Sequence, residues 1–142
     1  MEFNADVPRV ESAYDSMKNI HPEAYDALSG ATLEVGNHGS TAWYKPADNK
    51  VVLNPEFVND LSDEEVIGVL LNTGLKMLYW NMHEALNNFK NIAMDLIVNE
   101  EILNINGASV HEDAITGENF DIDSTLIARE NFDQLCREIA SK

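Results

Sequence analysis

Residues 61–84 read LSDEEVIGVLLNTGLKMLYWNMHE, and this stretch decides how the rest of the chain is interpreted. Ser62, followed three residues later by Glu65, is typical of a capping box, and the acidic first turn suits the helix dipole. Residues 66–82 are apolar on nearly every face. The pattern therefore predicts a buried helix that runs to about Glu84.

Polar side chains interrupt this apolar helix at five positions, Asn72, Thr73, Lys76, Asn81 and His83. Three of them fall roughly on one stripe, at i, i+4 and i+11: Asn72, Lys76 and His83. Unpaired polar groups in a core cost about 1 to 3 kcal/mol each, so another polar surface must face them. A second helix, predicted over residues 88–104, is the expected partner because it repeats polar residues at i, i+4 and i+8: Asn91, Asp95 and Asn99.

Outside these two helices the chain predicts shorter elements. Helices are expected over residues 7–19, 21–29 and 124–140, with Ser124 capping the last. Short runs of β-branched and aromatic residues at 32–35, 42–44 and 50–53 predict a small, mostly antiparallel sheet. Residues 107–123 are interpreted as an acidic loop. This order predicts one α+β domain over residues 1–142.

The composition limits the cellular setting and the partners. The formal net charge of −16 over 142 residues disfavours nonspecific attraction to nucleic-acid phosphates or anionic lipid. Cys136 is the single cysteine, so one chain can form neither a disulfide nor a cysteine-based zinc site. No signal-peptide pattern and no apolar stretch of about 20 residues is seen. We expect a soluble, cytoplasmic protein that does not associate with membranes.

The sequence from about Thr41 to Ile105 resembles the metallopeptidase domain found at the N-terminus of certain VWA-like proteins, a zincin-like group. The resemblance is carried by N-P-E-F-V at 54–58, by L-S-x-E-E at 61–65, and by a second-helix signature. That signature survives at Asn91, Ala93, Asp95 and Asn99, with Lys90 where a tryptophan is usual. The resemblance implies a zincin-like core. A short copy of this kind also looks like something from a phage or mobile-element genome.

The chain departs from the family at the metal site itself. The family's H-E-x-x-H aligns with residues 72–76, which places Asn72 and Lys76 at the two histidines and Thr73 at the glutamate. In such a motif two neutral imidazoles bind Zn²⁺ and the glutamate accepts a proton from the metal-bound water. An amide, a hydroxyl and an ammonium group fill none of these roles. Asn81 takes the place of a further histidine.

We therefore expect a non-catalytic protein without metal or other cofactor, in which Lys76 replaces the charge of the metal and pairs with Asp95. Loss of zinc with Asp95 kept would leave a buried carboxylate uncompensated, and truncating one partner of a buried ion pair typically costs about 3 to 5 kcal/mol. The alternative is that Lys76 extends to water and Asp95 forms local bonds. Asn99 completes the degenerate site.

The four histidines supply no second metal site in the sequence. They are scattered, with no pair at metal-ligand spacing, and are interpreted as surface or capping residues: His21, His38, His83 and His111. His111 with Glu112 and Asp113 could bind a hard cation weakly, but lacks the ligand pattern of a calcium loop.

Three functions stay open. The first is an accessory factor in nucleic-acid transactions, such as a single-stranded DNA binder or transcription cofactor, because aromatic residues and lysines are interspersed between residues 43 and 90. The candidate residues are Trp43, Tyr44, Lys45, Lys50, Lys76, Tyr79, Trp80, Phe89 and Lys90. Tyr79 and Trp80 are equally interpretable as core residues.

The second possible function is that of an acidic protein-binding inhibitor or DNA mimic, with a partner such as a polymerase or an ATPase. The third is a metallopeptidase with altered ligands. The oligomeric state stays open.

Overall fold

The computed structural model describes residues 1–4, 7–36, 42–83 and 87–142. Within these ranges seven α-helices and four strands form one α+β domain. The helices are α1 (Pro8–Ile20), α2 (Pro22–Leu28), α3 (Pro55–Asn59), α4 (Asp63–Tyr79), α5 (Asn88–Leu103), α6 (Gly117–Phe120) and α7 (Phe132–Ala140). The strands are β1 (Glu2–Phe3), β2 (Thr32–Val35), β3 (Ala42–Lys45) and β4 (Lys50–Leu53).

The sheet is mixed, and the prediction of a mostly antiparallel sheet was wrong. Its strand order is β1-β2-β4-β3, with β4 parallel to β2 and antiparallel to β3. Strand β4 lies in the middle because Val51, Val52 and Leu53 are all buried, and a continuous apolar run suits a strand covered on both faces. The two-residue strand β1 pairs in parallel with β2 and is too short to show a periodic pattern.

Helix α4 begins as predicted but ends earlier. The amide of Ser62 donates to Glu65 Oε1 at 3.0 Å and the amide of Glu65 donates to Ser62 Oγ at 3.2 Å, which completes the capping box. The helix ends at Tyr79, because Trp80 is extended and the amide of His83 donates to Asn81 Oδ1 at 3.0 Å. That side-chain bond offers the backbone an alternative to a further helical turn. The predicted end, Glu84, lies outside the described residues.

The C-terminal third is more structured than expected. Residues 107–123 contain α6, which begins after Thr116, whose hydroxyl accepts from the Asn119 amide at 3.2 Å. The last helix begins at Phe132, so its predicted cap at Ser124 was wrong. Residues 124–126 instead form a 3₁₀ turn, since Asp123 Oδ1 accepts from the Thr125 amide at 2.9 Å.

Helix α4 packs against α1 and α2 on one side and against α5 on another. One apolar cluster joins these helices to the sheet, with Met17, Leu33 and Leu70 fully buried. A second cluster joins α5 to α7 through Leu96 and Leu135. The side chain of Trp80 packs against both clusters. No helix among the described residues is long and apolar enough to cross a bilayer.

Candidate functional site

A cavity of about 310 Å³ lies between α4, α5 and residues 108–115. Helix α4 contributes Asn72, Thr73 and Lys76 to its wall, and α5 contributes Asp95 and Asn99. Side chains four residues apart on a helix lie on the same face, so each helix presents its polar residues together. The structure thus brings together five of the six residues of the degenerate site.

The sixth residue, Asn81, does not belong to this group. It lies beyond the end of α4, is exposed, and uses its side-chain oxygen to accept from the His83 amide. His83 is likewise exposed, so it does not extend the polar stripe of α4. The i+11 position would continue the stripe only if the helix extended past residue 83, and α4 ends at Tyr79.

The ammonium group of Lys76 forms an ion pair with Asp95 Oδ1. The side chains of Lys76 and Asp95 are only 19% and 22% exposed, so the pair is mostly shielded from water. The predicted pairing across the two helices is confirmed. The alternative, in which Lys76 extends to water and Asp95 bonds only locally, was wrong.

Asparagine side chains continue this network on either side of the ion pair. Asn72 Nδ2 donates to Asp95 Oδ1 at 3.2 Å and to Asn99 Oδ1 at 2.9 Å. Asn99 Nδ2 in turn donates to the backbone oxygen of Ile115 at 2.9 Å. Among the described residues, every fully buried side-chain nitrogen and oxygen has a hydrogen-bond partner. The polar layer between α4 and α5 is therefore satisfied without an external ligand.

The residues present do not fit a zinc ion. Among the six residues of the predicted degenerate site, Asp95 is the one that offers an anionic ligand, and its carboxylate is paired with the Lys76 ammonium group. The described part of the chain has no cluster of three or more His, Cys, Asp or Glu side chains suited to a metal. An ammonium group has no lone pair to donate and repels a cation.

Several residues of the cavity wall were missed by the sequence analysis. Residues 108–115 close one side of the cavity, where His111 and Asp113 contribute to the wall. The ring of His111 packs edge-on against Phe57, with ring centres 5.3 Å apart. Glu65, noted only as a helix cap, also lines the cavity.

One signal in the sequence could have indicated this segment. Gly68 lies inside α4, where glycine is unfavourable, and such a glycine often marks close packing. A Cβ atom at Gly68 would lie 1.9 Å from the backbone oxygen of Ser109. The backbone amide of Ser109 also donates a hydrogen bond to the backbone oxygen of Glu64 at 3.1 Å. The glycine thus permits the segment to lie directly against α4.

The candidate nucleic-acid residues of the sheet differ in accessibility. Trp43 on β3 is 38% exposed, and the Lys45 ammonium lies 4.9 Å from its ring centre. Tyr44 donates its hydroxyl to Asn49 Oδ1 at 2.7 Å, and burial raises its pKa. Lys50 forms an ion pair with Glu34 at 2.9 Å. Of the four candidate residues on β3 and β4, Trp43 and Lys45 are therefore the aromatic and cationic residues best placed to meet a ligand.

The candidate residues at the end of α4 are engaged inside the protein. Tyr79 donates its hydroxyl to Glu101 at 2.6 Å, and the Arg129 guanidinium lies 4.0 Å from its ring centre. Burial, followed by the hydrogen bond to Glu101, raises the pKa of Tyr79 to about 12. Trp80 packs against Phe132, with ring centres 5.6 Å apart. Both aromatic residues are thus packed rather than presented to a ligand.

Two candidate residues lie at the start of α5. Phe89 is 46% exposed and Lys90 is also exposed. The nine candidate residues therefore lie on three parts of the fold, namely the β3–β4 hairpin, the end of α4 and the start of α5. Lys50 and Lys76 among them already have carboxylate partners.

Comparison of the chain with protein-family models, with curated proteins and with solved structures gives no match. The resemblance to a zincin-like metallopeptidase domain therefore stays a prediction that rests on the residues quoted above.

Proposed function

We propose that this chain is a non-catalytic binding protein whose polar centre, formed by Asn72, Lys76, Asp95 and Asn99, serves structure rather than hydrolysis. The ion pair between Lys76 and Asp95 is the observation that carries the proposal. It places a fixed cation where the resemblance implies a metal ion. An accessory or regulatory role in the cytoplasm is consistent with this arrangement.

Electrostatics disfavours the alternative of a metallopeptidase with changed ligands. A divalent ion about 4 Å from an ammonium group is repelled by about 8 kcal/mol at an effective dielectric constant of about 20. A complete structural zinc site supplies about 10 to 16 kcal/mol. One carboxylate, already paired, supplies only a small part of that free energy. Zinc would have to displace Lys76 before it could bind.

A protein partner with a basic surface suits the charge of the molecule better than a nucleic acid does. The net charge of −16 steers cationic surfaces toward the protein and repels phosphates. Ion pairs already compensate Lys50 and Lys76, so these lysines contribute little to phosphate binding. A polymerase or an ATPase with a basic docking surface would have the positive charge that this acidic protein attracts.

Single-stranded nucleic acid remains a second candidate because of Trp43 and Lys45. An exposed indole beside an ammonium group offers a base a stacking surface and a phosphate a counter-charge. A role as an accessory factor in transcription or replication would then depend on β3.

Two measurements test these proposals. Metal analysis of protein purified without chelator should give far less than one zinc per chain, and peptide hydrolysis should be absent. Stoichiometric zinc, or a peptidase activity lost on adding EDTA, would overturn the non-catalytic proposal.

A mobility-shift assay with single-stranded and duplex oligonucleotides at two salt concentrations distinguishes a nucleic-acid partner from a protein partner. A protein-binding factor gives no shift, whereas a single-strand binder gives a shift that Trp43→Ala weakens.

A further inference from the structure

We infer that the cavity between α4, α5 and residues 108–115 binds the side chain of a lysine or arginine presented by a protein partner. The inference rests on the proposed function, since it names what the non-catalytic protein would bind at this site. Three properties of the wall support it: its charge, its apolar lining and the hydroxyl of Thr73, which has no hydrogen-bond partner among the described residues.

The wall of the cavity carries an excess of negative charge. Three carboxylates contribute, Glu65, Asp95 and Asp113, against the single ammonium of Lys76. With the imidazole of His111 counted as neutral, three negative charges and one positive charge leave an excess of two negative charges. Lys76 is already held by Asp95, and within the described ranges Glu65 and Asp113 have no ion-pair partner, although Glu65 Oε1 accepts from the Ser62 amide. Asp113 is exposed and so lies at the rim, where it can meet an incoming cation.

Apolar side chains share the wall with these carboxylates. They come from α4, from residues 108–115, from α3 and from β3, namely Val69, Val110, Ala114, Ile115, Phe57 and Ala42. The side chains of lysine and arginine match this mixed wall, because each has an apolar stem that packs on apolar surface and a charged end that pairs with a carboxylate. The volume of about 310 Å³ lies at the lower end of the range for ligand pockets, which suits a single side chain.

Thr73 gives an independent indication of a ligand. Thr73 lines the cavity and is only 7% exposed, and its hydroxyl has no hydrogen-bond partner among the described residues. Since fully buried polar atoms in the described ranges all have partners, the Thr73 oxygen must reach the open space of the cavity. A hydroxyl in this position can donate to a backbone carbonyl or accept from an ammonium or guanidinium group.

The inference is tested by an NMR titration of the full chain labelled with ¹⁵N, at physiological ionic strength. The probe is a capped peptide, acetyl-Gly-Gly-Lys-Gly-Gly-amide. Its matched control replaces lysine with norleucine, which keeps the stem and removes the charge. We expect saturable shifts at the amides of Gly68, Thr73 and Ser109 with the lysine peptide, and at least about fivefold weaker binding of the norleucine peptide.

Variants separate the cavity from the general acidity of the surface. Asp113→Asn removes the rim charge, Thr73→Val removes the hydroxyl at constant shape, and Asp15→Asn removes an exposed carboxylate of α1 outside the cavity. We expect the first two to weaken the lysine peptide about threefold to tenfold and the third to leave it unchanged. The ¹⁵N spectrum of each variant, compared with that of the unmodified chain, reports whether the fold is retained.

Three results would overturn the binding site itself, and a fourth would overturn the kind of ligand. The three are shifts spread over the acidic surface without saturation, equal losses for Asp113→Asn and Asp15→Asn, and equal binding of the two peptides. If butylamine bound as tightly as the lysine peptide, the assignment to a segment of a protein partner would be wrong. None of these results depends on zinc content or peptidase activity, so failure here is distinguishable from failure of the proposed function.

Discussion

The ammonium group of Lys76 on α4 lies against the carboxylate of Asp95 on α5 and joins the two helices at the centre of the polar layer. Asn72, one turn before Lys76, donates to the same carboxylate oxygen. Two donors from one helix thus converge on one acceptor from the other. This arrangement makes the stability of the helix pair depend on Asp95 and Lys76 together.

Replacing one partner of the ion pair should lower the free energy of unfolding more than replacing both partners. Lys76→Met leaves Asp95 mostly buried without its counter-charge, and we expect a loss of about 3 kcal/mol in the free energy of unfolding. Lys76→Met combined with Asp95→Leu should recover most of this loss, because no uncompensated charge remains. Urea denaturation at neutral pH measures both. A double variant that is less stable than Lys76→Met would contradict this account of the pair.

Restoring the aligned motif should create zinc binding. In the variant Asn72→His/Thr73→Glu/Lys76→His, two imidazoles one turn apart would face Asp95, giving three ligands of the types that zinc prefers. A zinc concentration of 100 times the dissociation constant should then stabilise the fold by about 2.7 kcal/mol, or about 5 to 10 °C in Tm. Thermal unfolding with zinc and with EDTA measures this shift.

The unmodified chain is the control for that experiment, and its Tm should not depend on zinc. A second control adds Asp95→Asn to the restored motif, which should reduce the stabilisation by zinc. If the restored motif failed to respond to zinc while retaining its fold, the resemblance to a zincin-like core would lose its main support.

Gly68 should not tolerate a side chain. The Cβ atom of Gly68→Ala would meet the backbone oxygen of Ser109 at 1.9 Å, and relief requires residues 108–115 to move away from α4. We expect a loss of about 1 to 3 kcal/mol, even though alanine is intrinsically the better helix former. Gly30→Ala is the matched control, since its nearest contact would be an ordinary 3.7 Å and its loss should stay below about 0.5 kcal/mol. Equal losses in the two variants would show that the segment does not lie against α4.

Alkaline pH should destabilise the fold mainly through Tyr14 and Tyr79, in the same direction as Tyr44, whose pKa burial also raises. Burial raises the pKa of Tyr14 and of Tyr79 to about 12, above the ordinary value of 10.0. Below pH 10 both phenols are protonated in the folded and unfolded states, so their contribution is fully present. Between pH 10 and 12 the unfolded state loses protons first, and the free energy of unfolding falls. Tyr79→Phe and Tyr14→Phe should each flatten this decline.

Spectrophotometric titration of tyrosinate in the folded protein checks the same point. Two of the four tyrosines should ionise near pH 12. Titration of all four tyrosines together near pH 10 would contradict the packing described for Tyr79 and Tyr14.

Local patterns in the sequence predicted the parts of the fold that are decided locally. The start of α4 followed from Ser62 and Glu65, since the capping box is complete within four residues. The facing polar surfaces of the two helices followed from polar residues at i and i+4, whereas the specific pair of Lys76 with Asp95 was predicted from the resemblance, as a replacement for the charge of a metal ion. These features depend on spacing along one helix and on the cost of unpaired polar groups.

Longer-range features could not be predicted in the same way. The position of β4 between β2 and β3 depends on parallel pairing across residues that are distant in the chain, which short apolar runs do not encode. The cavity depends on residues 108–115, which are placed by the backbone bond from Ser109 to Glu64 and not by a side-chain pattern. The end of α4 was misjudged because Trp80 and Met82 continue the apolar pattern after the helix has stopped.

The ion pair between Lys76 and Asp95 should make the stability of the fold independent of the supply of metal ions. A dissociable ion stabilises a protein only to the extent that the ion is available, so its effect rises and falls with supply. A lysine belongs to the polypeptide and is present at each molecule from the moment of synthesis. The junction between these two helices should therefore hold equally well in metal-starved and metal-rich cells.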